Sequence, residues 1–211
     1  MADDRKYDRA VAEIIAAGER LDRFNWVPAT AGNISVRLPD GRVAITRSGG
    51  HKGFLGAEGV IAVGLDGVPL RAGDKASAET GLHCGIYRRF PGAGAVLHAH
   101  SLANTVLSRA AGEAIALAGY ELLKAFPGLP THDASVAVPV FDNDQDIERL
   151  QAAVDRRWDG LAARGASAPP GYLIRGHGVY VWGADMATAR LRLEALEFML
   201  ACELEERRAA R

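Results

Sequence analysis

The sequence predicts an α/β fold: a three-layer α/β/α domain around a central, mostly antiparallel mixed sheet. Helical patterns lie towards both ends of the chain, and short strand patterns joined by turns lie between them. The 211 residues are 48% hydrophobic, which is enough apolar surface for the core of one large domain. We therefore expect a single domain over residues 1–211.

The first predicted element is a long amphipathic helix. Apolar residues recur at helical spacing from Tyr7 to Phe24. Asp3 or Asp4 is expected to cap the start of the helix, because a short carboxylate side chain can accept from its first backbone amides. Pro28 cannot continue a helix and is expected to end it.

Strands and loops follow. "NISVRL" and "RVAIT" predict strands around a Pro-Asp-Gly turn, and "GVIAVGLDGVPL" predicts a hairpin around Asp66 and Gly67. "RSGGHKGFLG" is too rich in glycine for a regular element. Ser77 is expected to cap a helix over residues 78–90, with Glu79 in its first turn.

In the second half, "GAVLHAH" predicts a strand, and Ser101 is expected to cap the helix "SLANTVLSR" that follows. "SVAVPVF" is another strand, and "GYLIRGHGVYVWG" is two short strands about a turn. The remaining predicted elements are helices over 144–164 and 185–208 and a surface loop, "RGASAPPG".

Composition excludes several classes of protein. A formal charge of −1 provides no global attraction to nucleic acid or to an anionic membrane, so neither partner is expected. No apolar run approaches the roughly 20 residues that span a bilayer, and "MADDRKYDRA" does not resemble a signal peptide. Two cysteines do not make a disulfide framework. These features indicate a cytoplasmic protein.

Histidines suggest a metal site. His98 and His100 are two residues apart, so on a strand both side chains point to one face. Histidines near strand ends are often ordinary hydrogen-bonded residues, and this interpretation stays open for the pair. His177 in "RGHGV" adds a third imidazole in a glycine-flanked turn. Three imidazoles with an open fourth position are typical of catalytic zinc sites.

Several segments could form a phosphate site. "TAGNIS", "SGGHKG" and Ser77 offer backbone amides, hydroxyls and one cation, Lys52. Each also has an ordinary explanation as a turn, a flexible loop or a helix cap.

Taken in order, "TAGNIS", "SG" before "HKG", "SAETGLH", "AVLHAHS" and "GHGVYVWG" resemble the motifs of the class II aldolase/adducin family over about residues 7–204. The resemblance implies a class II aldolase-like fold, usually assembled as a homotetramer with active sites near subunit interfaces. It implies one Zn²⁺ per subunit held by His98, His100 and His177. Phosphate contacts are implied at Asn33, Ser48, Gly49 and Ser77, with Lys52 less secure. The second serine of the aldolases is replaced by Ala78.

Two glutamates compete as the acid/base residue. Glu79 matches the metal-proximal glutamate of the family's aldolases, whereas Glu121 in "GYELLKAF" matches the glutamate of its dehydratases. The apolar neighbours Tyr120, Leu122 and Leu123 are expected to desolvate Glu121 and to raise its pKa. Without the resemblance, Glu121 would be interpreted as an ordinary solvated carboxylate.

Within the family, "RGHGVYVWG" and "ELLKAFPG" resemble the dehydratases of methionine salvage, which act on a methylthio-substituted ribulose 1-phosphate. A phosphorylated keto-sugar substrate and a hydro-lyase reaction are therefore expected. The alternative is a zinc-dependent aldolase or epimerase acting on fuculose or ribulose phosphate. A third possibility is a non-catalytic module like the adducin head domain, which the presence of all three histidines disfavours.

Overall fold

The computed structural model describes residues 2–165, 168–169 and 171–210. Within this part of the chain there are five α-helices: α1 Ala2–Arg23, α2 Thr80–Arg89, α3 Leu102–Ala110, α4 Ile147–Ala162 and α5 Met186–Ala209. The eight strands of the same residues are β1 Asn33–Arg37, β2 Val43–Thr46, β3 Val60–Val63, β4 Ala95–Ala99, β5 Ala114–Ala118, β6 Ser135–Phe141, β7 Gly171–Ile174 and β8 Gly178–Gly183. Short 3-10 helices span Lys52–Phe54, Ala57–Gly59 and Glu121–Ala125.

The strands are ordered β3-β2-β1-β4-β8-β7-β6-β5 in one sheet. Antiparallel pairing joins β1 to β2 and β4, β2 to β3, β5 to β6, and β7 to β8. Strands β6 and β7 run parallel, so the sheet is mixed but mostly antiparallel. This confirms the fold class predicted from the sequence.

The chain divides into two compact units, and the first comprises the residues up to Ala99 together with Trp182–Ala189. Its core contains fully buried side chains from α1 and from the strands, among them Ile14, Ile34 and Leu97. A Cβ on Gly18 of α1 would lie 2.0 Å from the carbonyl oxygen of Lys52, so only glycine lets the helix approach this backbone.

The second unit comprises His100–Val181 and Arg190–Arg211. Aromatic residues dominate one part of its core: Tyr172 stacks on Tyr180 with ring centroids 5.0 Å apart, and Phe141 and Trp158 meet Tyr172 edge to face. Such pairs add stabilisation to the burial of the rings themselves. The prediction of a single domain over 1–211 stays a prediction.

Several predicted boundaries were wrong. Helix α1 already includes residues 3 and 4, so neither Asp3 nor Asp4 is its cap. Helix α2 begins at Thr80 instead of residue 78, and the predicted hairpin around Asp66 keeps one regular strand, β3, and a single bridge from Val63 to Pro69. Strand β5 was missed, because "AIALA" has little β-branched character. The predicted loop "RGASAPPG" includes residues 166, 167 and 170, which lie outside the described residues.

In the described helices, no segment combines the length and apolarity that crossing a membrane requires.

Candidate active site

Three histidines form a cluster. His98 is fully buried on β4, His100 follows the end of that strand, and His177 lies in the turn between β7 and β8. One side-chain nitrogen from each of the three lies within 4.8 Å of the others, and the rings of His100 and His177 are 4.8 Å apart between centroids. His100 and His177 thus meet although they are 77 residues apart in the sequence (177 − 100).

The cluster fits a divalent metal ion. Three neutral imidazole nitrogens with an open fourth position are a donor set that zinc accepts in catalytic sites, at about 2.0–2.1 Å per nitrogen. The His177 turn is fixed by its own backbone, because the amide of His177 donates to the carbonyl of Ile174 at 3.0 Å. Gly176 adopts a φ of +64°, a conformation that glycine accepts without strain.

A carboxylate faces the cluster from the N-terminus of α2. Oε1 of Glu79 lies 3.5 Å from Nε2 of His98. The side-chain amide of Asn33 donates to the other carboxylate oxygen of Glu79 at 2.7 Å and to the hydroxyl oxygen of Ser77 at 3.2 Å. Strand register explains the contact, because Asn33 on β1 is the direct partner of His98 on β4. Three predicted site residues, Asn33, Ser77 and Glu79, are therefore hydrogen-bonded to one another beside His98.

A buried threonine orients Asn33. The hydroxyl of Thr46 donates to Oδ1 of Asn33 at 3.1 Å and accepts from the backbone amide of Ile34 at 3.2 Å. With Oδ1 accepting, the two amide hydrogens of Asn33 point towards Ser77 and Glu79. Thr46 was not recognised in the sequence, where nothing but a strand-end hydroxyl marks it.

Ser77 keeps a hydrogen available. Its hydroxyl oxygen accepts from Asn33 and, at 3.3 Å, from the backbone amide of Glu79. Both contacts use lone pairs of the oxygen, so the hydroxyl proton can still donate. The predicted cap residue therefore precedes α2 as part of a turn and retains one donor for a ligand.

His83 lies one helical turn after Glu79. It is fully buried on α2, and its Nδ1 is 2.7 Å from the hydroxyl of Ser35, which also contacts the hydroxyl of Tyr87 at 2.8 Å. Burial lowers the pKa of His83 to about 3, the charge of His98 acts in the same direction, and the charge of Glu79 opposes both. His83 is thus a neutral imidazole packed against the site.

Three predicted site residues lie in the glycine-rich loop, and one of them is buried while two are exposed. Ser48 and Gly49 are exposed, and a Cβ on Gly49 would meet no atom within 4 Å. Lys52 is 2% exposed, and its Nζ donates to the carbonyls of Thr30 at 2.6 Å and Gly50 at 2.7 Å. Burial lowers the pKa of Lys52, and the carboxylate of Glu79 opposes that shift. Lys52 thus ties "TAGNIS" to "SGGHKG".

Glu121 is placed differently from our expectation. Its side chain is 67% exposed, it forms an ion pair with Lys124, and its other oxygen lies 3.9 Å from His132. Hydrogen bonding and charge from Lys124 lower the pKa of Glu121, so the expected rise was wrong. The physical reason is that the 3-10 helix buries Leu123 but leaves Glu121 and Leu122 on the surface. The side chain of His132 is 57% exposed.

A buried carboxylate, Glu197 of α5, was missed. Its two oxygens accept from the hydroxyl of Ser101 at 2.5 Å and from the side-chain amide of Asn104 at 2.7 Å. Burial raises the pKa of Glu197 to about 7, and these two hydrogen bonds oppose the rise. In the sequence Glu197 is one of several glutamates in a long charged helix, and no motif distinguishes it.

Comparison with known proteins assigns the class. Residues 12–204 match the family described as the class II aldolase and adducin N-terminal domain. The chain belongs to this family.

Individual relatives sharpen the comparison. The chain is 63% identical over 203 residues to the methylthioribulose-1-phosphate dehydratase of Gluconacetobacter diazotrophicus, covering 96% of each chain. It is 56% identical to the enzyme of that name from Gluconobacter oxydans, covering 95% of this chain and 94% of the relative. The crystal structure of L-fuculose-1-phosphate aldolase from Thermus thermophilus is similar with a TM-score of 0.73 and 28% identity, over 95% of this chain and 96% of that one.

Proposed function

We propose that the protein is a zinc-dependent hydro-lyase that converts 5-methylthioribulose 1-phosphate to 2,3-diketo-5-methylthiopentyl 1-phosphate in methionine salvage. The observation that carries this proposal is the 63% identity, over 96% of both chains, to a relative named methylthioribulose-1-phosphate dehydratase. The histidine cluster beside Glu79 supports it, because removal of a proton next to a carbonyl suits a metal site with carboxylates nearby.

His98, His100 and His177 would hold one zinc ion per subunit. When bound, zinc would act as a Lewis acid that polarises the keto group of the substrate. Glu79 would add a negative charge next to His98 and strengthen that imidazole as a ligand. Because metal-ligating imidazoles must be neutral, metal retention should fall as the pH is lowered.

The phosphate group would be bound by the loops around α2. Ser77 offers a hydroxyl proton, Ser48 and Gly49 offer exposed polar groups, and the cation of Lys52 stabilises the loop from behind. Asn33 directs its amide hydrogens at Ser77 and Glu79, so in this proposal it chiefly orients the groups that meet the substrate.

Glu121 would perform the proton transfers. Its carboxylate takes the C3 proton of the substrate, an acid then protonates the leaving C4 hydroxyl, and water departs to leave an enol that becomes the 2,3-diketone. Because Glu121 is exposed and neighbours the exposed Leu122, we propose that it acts in the site of a neighbouring subunit of a homotetramer.

A substrate assay tests the reaction. Purified protein should consume 5-methylthioribulose 1-phosphate and release water without any aldehyde product. Formation of an aldehyde from fuculose 1-phosphate, with the methylthio sugar untouched, would contradict the proposal.

A mixing experiment tests the assignment of Glu121 to a neighbouring subunit. Subunits with Glu121→Gln and subunits with His177→Ala should each be inactive, but hybrids assembled from both should regain activity. Hybrids contain sites in which an intact histidine cluster meets an intact Glu121 from another subunit. Hybrids as inactive as either parent would place Glu121 in the site of its own chain or outside it.

The aldolase remains the second candidate function. It is favoured by the position of Glu79, which lies 3.5 Å from His98 and could serve as a metal-proximal base. The same substrate assay separates the two, because an aldolase breaks the C3–C4 bond and releases an aldehyde.

A further inference from the structure

The buried carboxylate Glu197 contacts the first turn of α3. Ser101 is the N-cap of this helix: its hydroxyl oxygen accepts from the amide of Asn104 at 3.0 Å, and its hydroxyl proton is donated to Glu197. Asn104 donates to the second oxygen of Glu197. All three side chains are at most 3% exposed. Burying a carboxylate is costly unless it is hydrogen-bonded, and both oxygens of Glu197 are bonded to residues at the start of α3.

Helix α3 is joined to the two segments of its unit that carry His100 and His177. At its start, Ser101 follows His100 directly. Further along, the hydroxyl of Thr105 lies 3.3 Å from the carbonyl of His177, and the hydroxyl of Ser108 accepts from the amide of Gly176 at 2.9 Å. A displacement of α3 would therefore move His100 and His177 together.

Arg175 closes the other end of the helix. Its guanidinium donates to the carbonyls of Ser108 at 2.9 Å, Ala111 at 2.6 Å and Gly112 at 3.0 Å. The carbonyls of Ser108 and of the C-cap residue Ala111 are among the acceptors that a helix leaves unsatisfied at its C-terminus. The turn that carries His177 is thus attached along the length of α3, and Glu197 fixes the opposite end.

From these contacts we infer that Glu197 is a positioning residue for metal binding, acting through α3 on His100 and His177. The inference rests on the three-histidine metal site of the proposed function. The two hydrogen bonds of Glu197 go to Ser101 and Asn104 and not to an imidazole. Removing such supporting hydrogen bonds typically lowers metal affinity about 10- to 100-fold.

Metal affinity of the Glu197→Gln variant tests the inference. Zinc affinity would be measured by chelator competition on metal-stripped full-length protein, together with the visible spectrum after cobalt(II) substitution. We expect about a 10- to 100-fold loss of affinity and an altered cobalt spectrum. The matched control is Glu206→Gln, an exposed glutamate of the same helix, which should behave like the wild type.

Thermal unfolding of the metal-free proteins separates positioning from folding. If Glu197→Gln lowers the unfolding temperature but binds zinc with wild-type affinity and spectrum, Glu197 is merely structural and the inference is overturned. If the variant does not fold, Ser101→Gly removes the link to Glu197 while keeping a tolerated N-cap residue. It should then weaken zinc binding, and unchanged affinity would overturn the inference.

A double variant tests the route through α3. Glu197→Gln combined with Thr105→Val should weaken zinc binding less than the sum of the single effects, because both act on the same helix. Additive losses would overturn that route. A wild-type protein that binds no zinc would overturn the metal site itself, whereas zinc binding without dehydratase activity would overturn the proposed reaction and leave this inference standing.

Discussion

The N-terminus of α2 and the 3-10 helix Glu121–Ala125 each present a glutamate, and the two are held in opposite ways. Glu79 has an 18% exposed side chain, accepts from Asn33 and faces His98. Glu121 has a 67% exposed side chain and pairs with Lys124 on the surface. The first carboxylate is oriented by its own hydrogen bonds, whereas the second is held only by a surface ion pair among the contacts above. A preorganised group suits metal support, and an uncovered one suits a site completed by assembly.

The two glutamates also differ in the ionisable groups that surround them. Near Glu79, burial keeps His83 neutral and lowers the pKa of Lys52. Near Glu121, the cation of Lys124 favours the charged carboxylate and lowers its pKa. An acid/base role for Glu121 would therefore require that assembly or substrate changes this environment, because a base is most effective with a pKa near the working pH.

The largest effects are expected from substituting each glutamate in turn, and they distinguish the roles of the two. Glu121→Gln cannot accept a proton and should reduce kcat by about 10²–10⁴, with zinc content intact and KM little changed. Glu79→Gln should instead weaken zinc retention, since the charge beside His98 is lost. The measurement is kcat and zinc content of both variants side by side. Near-wild-type turnover in Glu121→Gln, with zinc-loaded Glu79→Gln inactive, would reverse the assignment and favour the aldolase.

The next effect concerns the N-terminus of α2 alone. Ser77→Asp keeps acceptors for Asn33 and for the amide of Glu79 but opposes a phosphate with negative charge. We expect KM to rise by about a hundredfold or more, because a hydrogen bond to a charged group is replaced by repulsion. Zinc should stay bound. Ser77→Ala is the control, with a smaller rise in KM, and an unchanged KM in Ser77→Asp would make Ser77 only a turn residue.

A smaller effect is expected from substituting Thr46, which orients Asn33. Thr46→Val keeps the shape of the buried side chain but removes the donor to Oδ1 of Asn33 and the acceptor for Ile34. Unsatisfied buried groups cost about 1–3 kcal/mol of unfolding free energy. The freed amide should also orient Glu79 less well, so zinc affinity should fall, and Thr46→Ser should restore it. Equal zinc affinity in Thr46→Val and wild type would show that Asn33 needs no such support.

The smallest effect is a pH dependence that distinguishes the two regions. In the folded protein the pKa of His83 is lowered to about 3, whereas an unfolded histidine titrates near 6.5. The unfolded state therefore binds the extra proton first, and stability is lost as pH falls from 6.5 towards 3. One such proton contributes up to about 1.4 kcal/mol per pH unit.

Denaturant unfolding of metal-free protein between pH 6.5 and 4 measures this slope. His83→Gln should reduce it relative to wild type, and His132→Gln, at an exposed histidine next to Glu121, should leave it unchanged. Identical slopes in wild type and His83→Gln would show that His83 is protonated in the folded state.

Much of the fold could be predicted because its elements have local signals. "AVLHA" became β4, and Ser101 caps the helix after it as the pattern indicated. The boundaries failed where the signal was weak: alanine-rich β5 lacked strand character, and the start of α2 depends on a turn made by Ser77. Propensity fixes such ends to within a few residues at best.

The site was only partly predictable, because its contacts join distant residues. The spacing of His98 and His100 suggested a metal, but the link from Thr46 through Asn33 to Glu79 depends on the register of β1 against β2 and β4. The exposure of Glu121 was missed for a local reason. The sequence pattern predicts that apolar neighbours desolvate Glu121, yet the 3-10 helix turns Leu123 inward and Glu121 outward.

Gly32 has a consequence for protein engineering. Its φ is +81°, and a Cβ there would lie 2.8 Å from the carbonyl oxygen of His98 and 2.8 Å from a methyl group of Val27. Any library that diversifies the loop before Asn33 to change substrate preference should therefore leave this position invariant. Gly41 and Gly73 have similar φ angles but open surroundings, so Asn is a reasonable choice for mutagenesis there. Glycines that cannot be told apart in the sequence thus differ in whether another residue can replace them.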